Sequence, residues 1–159
     1  MTKHPPNRES RYMQGYFKPI HPERYRGDVK EIVYRSGWEA AAFSRLDRSP
    51  NVLEWSAEPI KIVYQDQSSK DSNGCFKLRH YIPDLWVKYK DAAGQVRTVL
   101  IEIKPDKETK APKAQKGKRV LTEAKTFVRN QCKWKAAVGF AQARGWEFRV
   151  ATEKTGLGI

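Results

Sequence analysis

Apolar positions along the chain alternate between two periods. Ser36 followed by Glu39 fits a capping box, and Ala40-Ala41-Ala42-Phe43 carries a helix on to about Leu46 or Asp47, with Pro50 beyond it. Val52 to Trp55 reads as a strand, and Ile60-Lys61-Ile62-Val63-Tyr64 alternates as a second one. Gln65 to Lys77 is polar, with Ser68, Ser69, Asp71, Ser72, Asn73 and Gly74, and is expected to be a surface loop. Arg79 to Tyr89 is expected to be one strand, with Leu85, Val87 and Tyr89 on one face. A short turn over Asp91 to Gly94 joins it to a strand over Val96 to Lys104, which makes the two an antiparallel hairpin.

A basic connector over residues 105–119 leads to a long helix, roughly 119–143. Val120, Ala124, Phe127, Gln131, Trp134, Val138 and Ala141 form its expected apolar stripe. Gly145 ends it, and Trp146 to Thr152 reads as a last strand. A strand, a helix and a strand in that order imply a crossover, so the last strand should lie parallel in the same sheet. The fold class is α/β: a mixed central sheet flanked by helices. Residues 1–30 are polar, basic and interrupted by Pro5, Pro6, Pro19 and Pro22. They read as an arm that either packs locally through Tyr12, Tyr16, Phe17 and Tyr25 or is mobile, ahead of a single domain over 31–159.

With 159 residues the chain fits one domain. Lys and Arg number 31 against 18 Asp and Glu, a net charge of +13, which favours a polyanionic partner. No basic amphipathic helix stands out as a membrane anchor. Cys75 and Cys132 are far apart and lack zinc-site spacing, so neither receives a role. There is no signal-peptide pattern and no run of 18 apolar residues, so a soluble, cytoplasmic protein is expected.

The candidate chemistry lies in Pro83-Asp84 and, after 17 intervening residues, Glu102-Ile103-Lys104. On a strand Glu102 and Lys104 point to one face while Ile101 and Ile103 go into the core. The hairpin can bring Asp84 beside Glu102. Two adjacent carboxylates repel, and a hard divalent cation relieves that repulsion. Mg²⁺ held there, with the Ile103 carbonyl as a further oxygen, would polarise a phosphodiester and activate water, while Lys104 holds that water or neutralises developing charge. Glu39 has two readings: a capping residue, or a carboxylate on the packed face of its helix that joins the metal cluster.

Lys107, Lys110, Lys113, Lys116, Lys118 and Arg119 follow directly after Lys104 and could track a phosphate backbone or form a solvated linker. Arg79 and His80 precede the Pro-Asp pair; His80 is a phosphate contact or a surface strand residue. Gln131 is a core amide or a hydrogen-bonding group across the site. Lys133 and Lys135 flank Trp134 and are expected to face solvent or DNA. The tryptophans are assigned to the core.

Tyr34-Arg35-Ser36-Gly37-Trp38-Glu39, Pro83-Asp84 and Glu102-Ile103-Lys104 together resemble the PD-(D/E)xK nuclease pattern, in the order found in TnsA-type endonucleases and phage junction resolvases. Further stretches are similar to the head-completion proteins of tailed bacteriophages of the large myovirus type. They are Gly27-Asp28-Val29, Trp55-Ser56, Tyr81-Ile82-Pro83-Asp84-Leu85-Trp86-Val87, Glu102-Ile103-Lys104-Pro105-Asp106-Lys107, Ala111-Pro112-Lys113 and Lys133-Trp134-Lys135-Ala136-Ala137. The resemblance covers about residues 15–159. It implies a restriction-endonuclease-like fold and a Mg²⁺-dependent endonuclease, with Mn²⁺ substituting, that acts on DNA in head completion. Glu39, Asp84, Glu102 and Lys104 match the family's acidic and lysine positions. Head, portal or neck proteins would be partners, in the host cytoplasm during assembly or in the virion; no membrane and no small-molecule cofactor are expected. The alternatives are a non-catalytic protein that binds a DNA end or the portal, and a TnsA-like or resolvase-like recombination nuclease.

Overall fold

The computed structural model describes residues 13–113 and 117–159. Its elements in chain order are β1 (Gly15–Tyr16), β2 (Val33–Tyr34), α1 (Gly37–Arg48), β3 (Val52–Ala57), β4 (Ile62–Lys70), β5 (Phe76–Tyr81), β6 (Leu85–Lys90), β7 (Val96–Ile103), α2 (Lys118–Gln142) and β8 (Glu147–Ala151). The central sheet runs β3-β6-β7-β8. Its first two pairings are antiparallel and β7–β8 is parallel, with α2 as the expected crossover.

Alternation along β6 and β7 splits the core into two layers. Leu85, Val87, Val99 and Ile101 face α1 and meet Ile32, Phe43, Leu46 and Trp55. Trp86 and Leu100 face the other way, onto Ala137 and Ala141 of α2 and onto Ile62, Tyr64 and Tyr81 of the β4–β5 pair. Phe17, Tyr25 and Val29 join the α1 side. The buried Asp47 carboxylate holds that segment by accepting from the amides of Ile20 at 2.7 Å and His21 at 3.0 Å. Tyr16 is exposed, and Tyr12 lies outside the described residues.

Several expectations are corrected. Gln65 to Lys77 is not a loop throughout: β4 continues to Lys70 and pairs with β5, and only the turn around Gly74 remains. Tyr64 and Asp66 face inward while Val63 and Gln65 face out, so a polar strand is held by one buried side (its acidic member is paired, as described below). The expected strand over Arg79 to Tyr89 is broken at Ile82 to Asp84. Pro83 has no amide hydrogen for a ladder, and the chain there passes from the β4–β5 pair into the central sheet. Finally, α2 is turned relative to its expected stripe. Asn130, Ala137 and Ala141 are buried, whereas Gln131 and Val138 are exposed. Small alanines at the contact let the helix lie close to the sheet, and Asn130 takes the inward position expected of Gln131. Of the tryptophans, Trp38 departs from a core role at 45% exposure.

Candidate active site

The pairing of Leu85 with Ile101 sets Asp84, one step further, across from Glu102. Both point to the face that carries α2 and β5. Asp84 Oδ2 accepts from the amide of Ile103 at 2.6 Å. Glu102 is 5% exposed; its Oε2 accepts from the Tyr81 hydroxyl at 2.7 Å and its Oε1 lies 3.3 Å from Lys104 Nζ. Burial, then the Glu102 charge, pushes the Asp84 carboxyl up to about 8; Glu39 adds to this, while the Ile103 amide and Lys104 oppose it. The fold therefore holds negative groups together against their repulsion. Burial beside Glu102 likewise pushes the Tyr81 phenol up, so it stays a hydrogen-bond donor.

The break at Pro83 has a consequence for this geometry. Tyr81 and Asp84 are an odd number of positions apart, so one continuous strand would send them to opposite faces. The change of sheet between them lets both reach Glu102. Lys104 is anchored at its backbone, whose amide donates to the Ala151 carbonyl at 2.9 Å.

Glu39 performs its capping role and still reaches the site. Its amide donates to Ser36 Oγ at 3.1 Å, and its Oε2 accepts from the Arg35 amide at 2.8 Å. Burial, with Glu58 as a further cause, raises its carboxyl above the usual range. Glu58 stands at the end of β3 with φ +47°, the single non-glycine among the described residues at positive φ. Its amide donates to the Asp84 carbonyl at 2.9 Å, and its carboxylate lies 3.7 Å from Arg35 Nε. Among the described residues no three His, Cys, Asp or Glu side chains already form a metal cage. A pair of carboxylates suits Mg²⁺, which keeps several of its own waters.

Residues 49–153 match the family described as the TnsA-like endonuclease N-terminal domain. The chain belongs to this family. It is also 39% identical over 145 residues, spanning 87% of this chain and 90% of the relative, to a protein of Enterobacteria phage T4 named head completion nuclease. The α/β fold with its mixed sheet is that expected of a TnsA-like nuclease. No helix among the described residues is long and apolar enough to cross a membrane.

The basic residues of this endonuclease are spread unevenly around the site. Lys107, Lys110 and Arg119 line a groove of about 490 Å³ between the connector and α2, with Asn130 on its wall. Lys110 is tied to Asp106 at 2.7 Å and Arg119 to Glu123 at 3.1 Å, so part of that charge is spent locally. Lys113 and Lys118 are exposed, and Lys116 lies outside the described residues. His80 sits on the outer face of β5 with Leu78 and Val63, away from Tyr81. Gln131 is exposed and does not point across the site as one reading had it.

Lys133, expected at the surface, is half-buried beneath Tyr81 and feels the charges of Glu102 and Lys104. Tyr81, Glu58 and Lys133 were not found from sequence. Tyr81 and Lys133 carried one usable signal: both lie within stretches that resemble the head-completion proteins.

Tyr81→Phe tests the support given to Glu102. The ring stays and the donor goes, and a hydrogen bond to a charged group contributes about 1.5–3 kcal/mol. Urea denaturation of the metal-free variant should show a loss of up to about that size, and an unchanged midpoint would count against the contact.

Proposed function

We propose that this endonuclease cuts DNA during phage head completion by metal-assisted hydrolysis of a phosphodiester at Asp84, Glu102 and Lys104. The observation that carries this reading is the pairing of Asp84 with Glu102 across adjacent strands, with a lysine bonded to one member and the shared negative charge poorly compensated. Asp84, Glu102 and the Ile103 carbonyl would hold Mg²⁺, or Mn²⁺ in its place, with Glu39 at the edge of the set. When bound, the ion would polarise a phosphoryl oxygen and lower the pKa of water.

The chain's own groups do the rest. Tyr81 orients Glu102, and the Ile103 amide orients Asp84. Lys104, about a third exposed and fixed by the backbone bond to β8, can bind the attacking water or a non-bridging phosphate oxygen. The partner is DNA, drawn to a chain of net charge +13. Lys107, Lys110, Lys113, Lys118 and Arg119 would line its approach, with Arg79 on the other flank. Head, portal or neck proteins would meet the protein in the host cytoplasm or in the virion.

Supercoiled plasmid incubated with and without Mg²⁺ tests this. Wild type should nick or linearise it only with the ion. Lys104→Ala should slow cleavage by about 10²–10³, the size expected for losing one stabilising donor. Equal cleavage by wild type in EDTA, or by Lys104→Ala in Mg²⁺, would overturn the proposal.

A further inference from the structure

Beside the carboxylate pair lies a group of cations whose arrangement the cleavage chemistry does not use. Asp66, 0% exposed on β4, accepts through one oxygen from two guanidiniums: Arg79 Nε at 2.7 Å and Arg129 Nε at 3.1 Å. Its other oxygen accepts from the Ser68 amide at 3.0 Å and the Ser68 hydroxyl at 2.5 Å. One arginine would balance a single buried carboxylate. The second leaves a surplus positive charge at a position held by hydrogen bonds on both sides. The Asp66 contacts use Nε, Arg129 Nη2 also donates to Ser68 Oγ at 3.4 Å, and the side chains of Arg79 and Arg129 remain 40% and 38% exposed.

Lys133 stands one helical turn after Arg129 on the same edge of α2. Its ammonium lies 5.7 Å from the centre of the Tyr81 ring, and the Tyr81 hydroxyl is the donor to Glu102. The charges around it are Glu102 and Lys104 on one side and Arg129 and Asp66 on the other, and burial pulls its amine below the usual range. Among the described residues no carboxylate lies within ion-pair distance of it. A half-buried cation without an ion-pair partner loses hydration that the Tyr81 ring and the charges of Glu102 and Asp66 return only in part. Arg79 and Tyr81 share the face of β5 turned toward α2, so the three cations form one row that starts next to Glu102.

We propose that Arg79, Arg129 and Lys133 form a phosphate-binding site that holds a backbone phosphodiester adjacent to the one cut. The inference deepens the cleavage reading and rests on DNA being the substrate. Guanidinium forks fixed in place by Asp66 suit a tetrahedral anion with several acceptor oxygens. Lys133 then gains the anion it lacks, and the strand is aligned with the carboxylates.

The test is anisotropy binding of a short labelled DNA duplex in EDTA across a range of NaCl concentrations. Each neutralised phosphate contact contributes about 0.9 to the slope of log affinity against log salt. Lys133→Met and Arg129→Gln should each lower the slope by about that amount, with binding several-fold weaker at moderate salt. Lys90→Met, at the far end of β6, should not. If Arg129→Gln melts early because Asp66 loses a partner, the double variant Asp66→Asn with Arg129→Gln removes that penalty and should show the same slope. A wild-type slope in Lys133→Met overturns the site, and so does an equal fall in Lys90→Met. Binding in EDTA needs no cleavage. A slope change in a protein that never cuts with Mg²⁺ would thus reject the hydrolytic reading while leaving Arg79, Arg129 and Lys133 as a site for a backbone phosphate.

Discussion

Replacing Asp84 with asparagine is expected to abolish DNA cleavage while raising the melting temperature of the metal-free protein near pH 8. The two effects share a cause. The Asp84 carboxyl is pushed up to about 8, foremost by burial and then by Glu102. A carboxyl whose folded pKa lies above its unfolded value favours the fold while it holds its proton. That contribution is complete below about pH 4 and is lost as pH climbs to about 8. Asparagine never ionises, and its oxygen can still accept from the Ile103 amide. The stability gained by Asp84→Asn should therefore be near zero at pH 4, grow through neutrality and level off above pH 8. Its size is a few kcal/mol at most, because the side chain is only half-buried by area.

Mg²⁺ should raise the melting temperature of wild type and leave that of Asp84→Asn nearly unmoved. The ion competes with the proton, so less Mg²⁺ should be needed for half-maximal cleavage at pH 8 than at pH 6. Thermal melts across pH, with and without the ion, read all of this. A variant that is less stable than wild type at pH 8 without metal would show that the charge on Asp84 is not a burden on the fold.

Trp55→Ala is expected to lower stability by about 3–5 kcal/mol, a large share of the roughly 5–15 kcal/mol typical of a domain. Trp55 is 0% exposed, and its ring lies 4.8 Å from Tyr25, 5.4 Å from Phe43 and 5.9 Å from Phe17, centre to centre. It joins β3, α1 and the segment before β2. The amide of Arg26 also donates to the Trp55 carbonyl at 2.8 Å. Truncation should loosen residues around Phe17 and Tyr25 as well as shift the urea midpoint, and limited proteolysis should cut there first. Trp55→Phe keeps an aromatic ring and should lose distinctly less. If the alanine variant unfolds at the wild-type midpoint, the aromatic cluster is not what fixes this segment.

What could be read in the chain beforehand was local. The β6–β7 hairpin was legible because its turn is self-contained: Asp91 Oδ1 accepts from the amides of Ala93 and Gln95, and Gly94 supplies φ +77°. The same alternation placed Glu102 and Lys104 on one face. The β4–β5 hairpin was hidden because Asp66 marks its segment as polar, and the arginines that make its burial tolerable lie 13 and 63 positions away. Tyr81 was hidden by the kink at Pro83, which changes the face on which side chains emerge. The rotation of α2 was hidden because Ala137 competes with the larger Val138 for the inward side, and a periodicity count favours size over fit; Ala141 was placed correctly. That rotation is also what takes Lys133 from the surface to the side of Glu102.

The parallel placement of β8 against β7 fixes the order in which the enzyme can become dangerous. The strand bearing Glu102, with Lys104 just past its end, gains its second neighbour only from residues 147–151, made after the whole of α2. A growing polypeptide on the ribosome thus exposes β7 as a bare edge, and the proposed cutting centre is unfinished until residues 147–151 have emerged. Truncated products lacking that strand should clump with one another through the open edge rather than persist as stray nucleases among the genomes being packaged.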